Sequence, residues 1–330
     1  MNNVAIISFT NNGRELANRL TEFLGCKVFK YEGKEKAQDF LNEKFYCCDT
    51  IIFIGAVGIA TRMISKLIKS KDVDPAVIVI DELGKYVIPI LSGHLGGGNE
   101  SSIELARLIG AQEVITTATD INKKFAVDIW TKYAGCKIAD ISKIKVISSA
   151  VLRNEKIGIY SGFPFDGVMP DELTLDKTKI GICVSLNDRL SPYEETLNLV
   201  PQIITLGVGC RKDMKSEIFE QFILRTLAEN NISILSIEKI ASIDLKKDEK
   251  CILDFSEKYN IPFVTYTAEE LNQVEGQFSA SEFVKKITGV DNVCERSAVK
   301  NSENGAIILS KTCQNGVTIA LAKKDWKCKF

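Results

Sequence analysis

Residues 49–62 read DTIIFIGAVGIATR. The apolar run Ile51, Ile52, Phe53, Ile54 is short, rich in isoleucine and stopped by Gly55, the pattern of a buried strand. A helical pattern follows, from Val57 to about Ile68. Strand, glycine turn and helix in that order make the repeating unit of an α/β sheet. Upstream, VAIISFT (residues 4–10) reads as a strand, and residues 13–24 place Leu16, Ala17, Leu20, Phe23 and Leu24 at a helical period. CKVFKY (26–31) gives a second strand and residues 34–45 a second helix. Downstream, residues 76–80 and 86–91 form two strands around the turn at 81–85. ILSGHLGGGNESS (90–102), a helix over 100–108 and the strand EVITTAT (113–119) complete the pattern. Residues 1–122 are expected to form an N-terminal α/β domain with a largely parallel sheet and one hairpin.

Residues 123–203 are less regular. A short helix (125–133) leads into three strand-like runs, KVISSAVL (145–152), KIGIYSG (156–162) and KIGICVS (179–185), separated by Gly, Pro and Asp. A small β-rich middle domain is expected there. From 204 to 330 the alternation returns. IITLGVG (203–209), ILSIEKIAS (234–242) and PFVTY (262–266) are strands, and residues 215–230, 248–259, 268–274 and 279–286 are helices. The third of these helices is entered through Thr267 as N-cap. AIILSKT (306–312) and GVTIALAKK (316–324) form a terminal hairpin. The fold class is therefore α/β, with N- and C-terminal domains of mixed, largely parallel sheets joined by the middle one.

The chain has 42 Lys+Arg against 43 Asp+Glu, a formal net charge of -1, which gives no electrostatic reason to expect nucleic acid or an anionic membrane as partner. Its ten cysteines form no CxxC and it holds one histidine, so spacing supports neither a disulfide framework nor a zinc site. Reduced thiols in a cytoplasmic protein are expected, and no metal. No basic-then-apolar leader opens the sequence and no apolar run approaches a membrane helix.

Three short stretches could carry chemistry. In GAVGIATR, Gly55 and Gly58 follow a strand and Arg62 stands in the helix behind them. In LGVGCRKD, Gly207 and Gly209 follow a strand, with Arg211 and Lys212 beyond. Each turn reads as a structural βα turn or as an anion site, the arginines favouring a carboxylated or phosphorylated ligand. Neither is a dinucleotide fingerprint. The third stretch holds the single histidine, His94, with Gly93 before it and Gly96, Gly97 and Gly98 after it, between a strand and a helix. The three glycines cost conformational entropy, and close backbone contact with a ligand or a flexible surface loop would account for them. Their amides would suit an oxyanion. Asn99 is placed to cap the helix, Ser101 to offer a hydroxyl, and Glu100 either to serve the helix dipole or to join His94 in catalysis. No GxSxG, P-loop or HExxH occurs.

With GAVGIATR, LSGHLGGGNE and LGVGCRKD in this order, the chain resembles the cobalt-precorrin-5A hydrolase family of the anaerobic cobalamin pathway. The resemblance spans nearly the whole length and continues into IASIDLKKDE, PFVTYTAEEL and VCERSA. It departs at Gly98, where the family usually has alanine. It departs again in LSKTCQNGVTIALA, where a proline–lysine pair is usual and only Lys311 is kept. The resemblance implies a reaction on a cobalt-containing, ring-contracted tetrapyrrole, in which the δ-lactone is opened and acetaldehyde released to give cobalt-precorrin-5B. It implies no cofactor, since the cobalt arrives inside the substrate. The macrocycle is fringed with carboxylates, suited to arginines and helix N-termini in a cleft between α/β domains. His94, at an ordinary pKa near ~6.5, would be general base, with the amides of Gly96, Gly97 and Gly98 as oxyanion hole. A homodimer and transient contacts with neighbouring pathway enzymes are compatible with this reading. The competing readings are a carrier that binds a corrinoid without transforming it, and a nucleotide or sugar-phosphate protein.

Overall fold

The computed structural model describes residues 1–33, 35–70, 73–303 and 305–330. It divides into two compact units, Met1–Ile129 and Trp130–Phe330.

The first unit carries β1 (Asn3–Ser8), α1 (Asn11–Phe23), β2 (Lys27–Lys30), α2 (Ala37–Lys44), β3 (Thr50–Ile54), α3 (Val57–Ile64), β4 (Ala76–Ile80), β5 (Tyr86–Leu91), α4 (Gly98–Ile109), β6 (Gln112–Glu113) and α5 (Ala118–Ile121). The strand order is β2-β1-β3-β4-β5-β6. All neighbours are parallel except β4 and β5, the expected hairpin. The central strands read as unbroken apolar runs because both faces are covered. Alternate residues divide between those faces. Ile6, Ile52, Ile54, Ile78 and Ile80 pack with Leu16 and Leu20 of α1 and Leu105 of α4. Ala5, Ile7, Ile51, Phe53, Val77 and Val79 pack with Phe40 and Leu41 of α2 and Ala60 and Ile64 of α3. The expected start of the second helix, Lys34, lies outside the described residues. EVITTAT is not a full strand: only Gln112 and Glu113 pair, against Tyr86 and Val87, and the chain then turns into α5.

The unit boundary falls within α6 (Val127–Tyr133). Beyond it come β7 (Cys136–Ile138), α7 (Ile144–Leu152), β8 (Ile157–Ser161), β9 (Phe165–Asp166), β10 (Leu173–Thr174), β11 (Ile180–Val184) and β12 (Glu195–Pro201). Their sheet has the order β10-β8-β11-β12-β7, parallel except for β7. KVISSAVL, expected as a strand, is the helix α7. Its buried residues Ile144, Ile147, Ala150 and Val151 recur at the helical period, which a short apolar run hides from a reading by hydrophobicity alone.

The last sheet contains β13 (Ile204–Cys210), β14 (Ile237–Ile243), β15 (Phe263–Tyr266), β16 (Ala306–Gln314) and β17 (Val317–Lys323), in the order β15-β14-β13-β17-β16. Around it lie α8 (Ser216–Glu229), α9 (Lys250–Tyr259), α10 (Ala268–Asn272), α11 (Glu282–Thr288) and α12 (Val293–Asn301). Thr267 caps α10 with a full capping box. The expected division at 122/123 and 203/204 differs from the compact units. The first unit runs to Ile129, and the middle and C-terminal parts share the second. The chain's end returns to the middle part: β18 (Cys328–Lys329) pairs with β9, Trp130 Nε1 donates to the Lys329 carbonyl at 2.7 Å, and Phe330 stacks on Trp130.

Candidate active site

The site is set by the direction of the strands. β5 runs against β4, so its carboxyl end lies beside the start of β4, where Leu91 pairs with Val77. The loop carrying His94 therefore sits at that end of the sheet. β6 is parallel to β5, and the chain leaving it travels toward the same end, carrying Thr117, Thr119 and Asp120. These meet His94. Its Nε2 lies 2.8 Å from Asp120 Oδ2 and 3.4 Å from Thr119 Oγ1, and its Nδ1 lies 2.9 Å from Asp128 Oδ2. Asn99 Nδ2 donates to the same Asp120 oxygen at 2.7 Å and to Thr117 Oγ1 at 3.0 Å.

An imidazole between two carboxylates binds its second proton tightly. The hydrogen bond His94 donates to Asp128 is the largest cause, burial opposes it, and Asp120 adds to it, so that the His94 pKa is pushed up to about 9. Burial alone would raise the Asp128 carboxyl. The His94 hydrogen bond and charge, with the Ile129 amide, outweigh burial and hold Asp128 below its usual value. His94 is thus an imidazolium at neutral pH, with both N–H groups donated. This corrects the reading of His94 as a free base near pH 6.5. The side chains of His94 and Asp128 are 12% exposed and that of Asp120 is 29% exposed, so Asp120 is the member most open to water.

The glycines serve the loop itself. The Gly97 amide donates to the His94 carbonyl, the Gly98 amide to the Ser92 carbonyl and the Asn99 amide to the Gly93 carbonyl, at 2.8, 3.1 and 2.8 Å. The Gly97 and Gly98 amides are therefore engaged and do not form the expected oxyanion hole. A Cβ on Gly93 would stand 2.6 Å from Asn99 Oδ1, and one on Gly96 would stand 2.8 Å from the Ser92 carbonyl oxygen. Gly97, with φ of 75°, is the residue before α4 and occupies the N-cap position expected for Asn99. Asn99 is buried within the first turn and holds Asp120 instead. Glu100 is exposed on that turn, Ser101 is half-buried, and the acids that meet His94 are Asp120 and Asp128.

The other expected residues lie elsewhere. The Gly55 amide donates to the Ile80 carbonyl at the far end of β4. With five residues in that strand, the Gly55–Gly58 turn is about 16 Å along it from the His94 loop. No heavy atom lies within 4 Å of a Cβ placed on Gly58, and Arg62 is exposed on α3. In the second unit, Gly207 and Gly209 lie within β13, paired with Ala320 and Thr318 of β17, and not in a turn beyond it. A Cβ on Gly207 would strike the Cys294 carbonyl, so that glycine lets α12 lie against β13, and one on Gly209 would meet Thr318. Arg211 packs over Gly316, and the Lys311 amide donates to the buried Glu295 carboxylate at 2.7 Å. Reading the sequence missed Asp120 and Asp128. The available signal was an acid following the strand parallel to β5.

Three family models match the chain in succession. They are a cobalamin synthesis G N-terminal region over residues 39–120, a cobalamin biosynthesis central region over 125–201 and a cobalamin synthesis G C-terminus over 204–322. A cobalt-precorrin-5A hydrolase of Salmonella typhimurium is 33% identical over 341 residues, covering 96% of this chain and 97% of the relative. One from Priestia megaterium is 32% identical over 352 residues, covering 96% and 94%. Similarity of this degree runs through both lengths, and the chain belongs to the cobalamin synthesis G family.

Proposed function

We propose that this chain hydrolyses cobalt-precorrin-5A, opening the δ-lactone and releasing acetaldehyde to give cobalt-precorrin-5B. The observation that carries the reading is the match, across the whole chain, to relatives bearing that name. The His94 group supports it by supplying an acid and a carboxylate side by side. Asp120 takes a proton from water, its Oδ1 being the oxygen that receives neither His94 nor Asn99. The hydroxide adds to the lactone carbonyl, and the His94 imidazolium, its N–H groups staying on the two aspartates, stabilises through its positive charge the oxyanion that forms. Collapse breaks the C–O bond of the ring and returns the proton to the departing alkoxide. Loss of that hydroxyl proton then drives a retro-aldol cleavage. The C–C bond breaks, acetaldehyde leaves, and the macrocycle receives the electron pair and a proton. Asp128 keeps the imidazole ring oriented through both steps.

Neither step calls for a cofactor, and the cobalt is part of the substrate. The partner is a small-molecule corrinoid and the setting is the cytoplasm; among the described residues no helix is long and apolar enough to cross a membrane. Incubating purified protein with cobalt-precorrin-5A and assaying acetaldehyde tests the reading. Stoichiometric acetaldehyde with formation of cobalt-precorrin-5B supports it, and tight binding without turnover would make the protein a carrier.

A further inference from the structure

In the second unit, Cys210, Glu249 and Cys251 bring their ligand atoms within 4.8 Å of one another. Cys210 ends β13, Cys251 stands in the first turn of α9, and Glu249 is the residue before that helix. The two Sγ atoms are 3.8 Å apart. With metal–sulfur bonds of about 2.3 Å, a tetrahedral angle places two sulfurs about 3.8 Å apart, so the pair already spans one edge of a tetrahedral site. The carboxylate is held in place: Glu249 Oε1 accepts from the Met214 amide at 3.3 Å and Oε2 from Lys246 Nζ at 2.8 Å. Cys251 is buried, whereas Cys210 and Glu249 are half-buried, which leaves an ion a path from solvent. Spacing along the sequence hides this cluster, because the thiols are 41 residues apart.

We propose that Cys210, Cys251 and Glu249 bind a borderline-soft divalent cation of the zinc class, with the fourth position open to solvent. Two thiolates select such an ion over magnesium or calcium. Binding forms two metal–thiolate bonds and passes the thiol protons to solvent. The ion replaces the Lys246 ammonium as countercharge to Glu249, and the lysine side chain swings out on its flexible stem.

The test does not depend on the hydrolase reading, because its readout is spectroscopic. Full-length protein, reduced and stripped of metal, is titrated with Co2+ and then with Zn2+. One equivalent of Co2+ is expected to raise a thiolate-to-metal charge-transfer band and tetrahedral d–d bands, which Zn2+ then removes. Cys210→Ser abolishes the charge-transfer band at that equivalent. Glu249→Gln weakens affinity by about tenfold or more. Lys246→Met strengthens it, because a competing cation is gone. Cys210 and Glu249 are half-buried, so these variants keep the test independent of folding at Cys251. Absence of the band in the unaltered protein, or a band of equal strength in Cys210→Ser, overturns the proposal.

Discussion

His94 binds its proton more tightly in the folded chain than in the unfolded one, because two carboxylates face it. Its folded pKa of about 9 lies above the ordinary 6.5, so the stabilisation is complete below about 6.5 and gone above about 9. Asp128 has the opposite sign. Its pKa is lowered, so its contribution is present above the ordinary 3.8 and lost as pH falls through the folded value. Denaturant midpoints taken between about pH 6 and pH 10 should fall for the unaltered protein and stay flatter for His94→Gln. Equal slopes would mean that His94 does not hold its proton this way. The two aspartates should separate by their environments. Asp128→Asn leaves the imidazolium without its buried partner and should cost about 3 kcal/mol of stability. Asp120→Asn keeps the contact with Asn99 as a neutral group and should cost about 1 kcal/mol, while acetaldehyde release falls about hundredfold or more. Urea titration and a turnover assay on both variants check this. At this scale His94 was legible in the sequence as the single histidine between a strand and a helix. Its partners were not, because Asp120 and Asp128 lie 26 and 34 residues further on and only strand direction brings them back.

At the scale of elements, the glycines of the three stretches divide by what occupies the space where a side chain would be. Gly207 faces the α12 backbone, so Gly207→Ala should force helix and sheet apart and cost about 3 kcal/mol. Gly58 faces open space within α3, so Gly58→Ala should stabilise by about 0.5–1 kcal/mol. If Gly58→Ala is folded and stable but impaired in substrate affinity, the turn contacts ligand; unchanged kinetics leave it a structural βα turn. Thermal unfolding with a KM measurement distinguishes these outcomes. The sequence located the turn at Gly55 and the loop before α4, because strand, glycine and helix follow one another, but set Gly207 and Gly209 beyond a strand when they lie inside β13. It did not reveal that Gly93 and Gly96 accommodate Asn99 and Ser92, since both approaches depend on how the loop folds over itself. KVISSAVL misled for another reason: eight residues rich in β-branched side chains suit a strand, and packing against the sheet made them a helix.

For the whole molecule, alternating strands and helices gave away the α/β class, whereas the contacts of the last five residues with the middle part were hidden. Trp326 packs edge-on against Phe163, Phe330 stacks on Trp130 and Phe165, and β18 pairs with β9. No local pattern in DWKCKF announces contacts with residues nearly 200 positions away. Removing residues 326–330 should lower the melting temperature of the second unit by about 5 °C or more, as calorimetry would record. The family relationship runs through the entire chain, and the chemistry assigned to it converges on one histidine. The most direct test of that assignment is acetaldehyde release from cobalt-precorrin-5A by His94→Gln at neutral pH, beside the unaltered protein. A folded variant slowed about hundredfold or more is the predicted result; a folded variant turning over at the unaltered rate would contradict it.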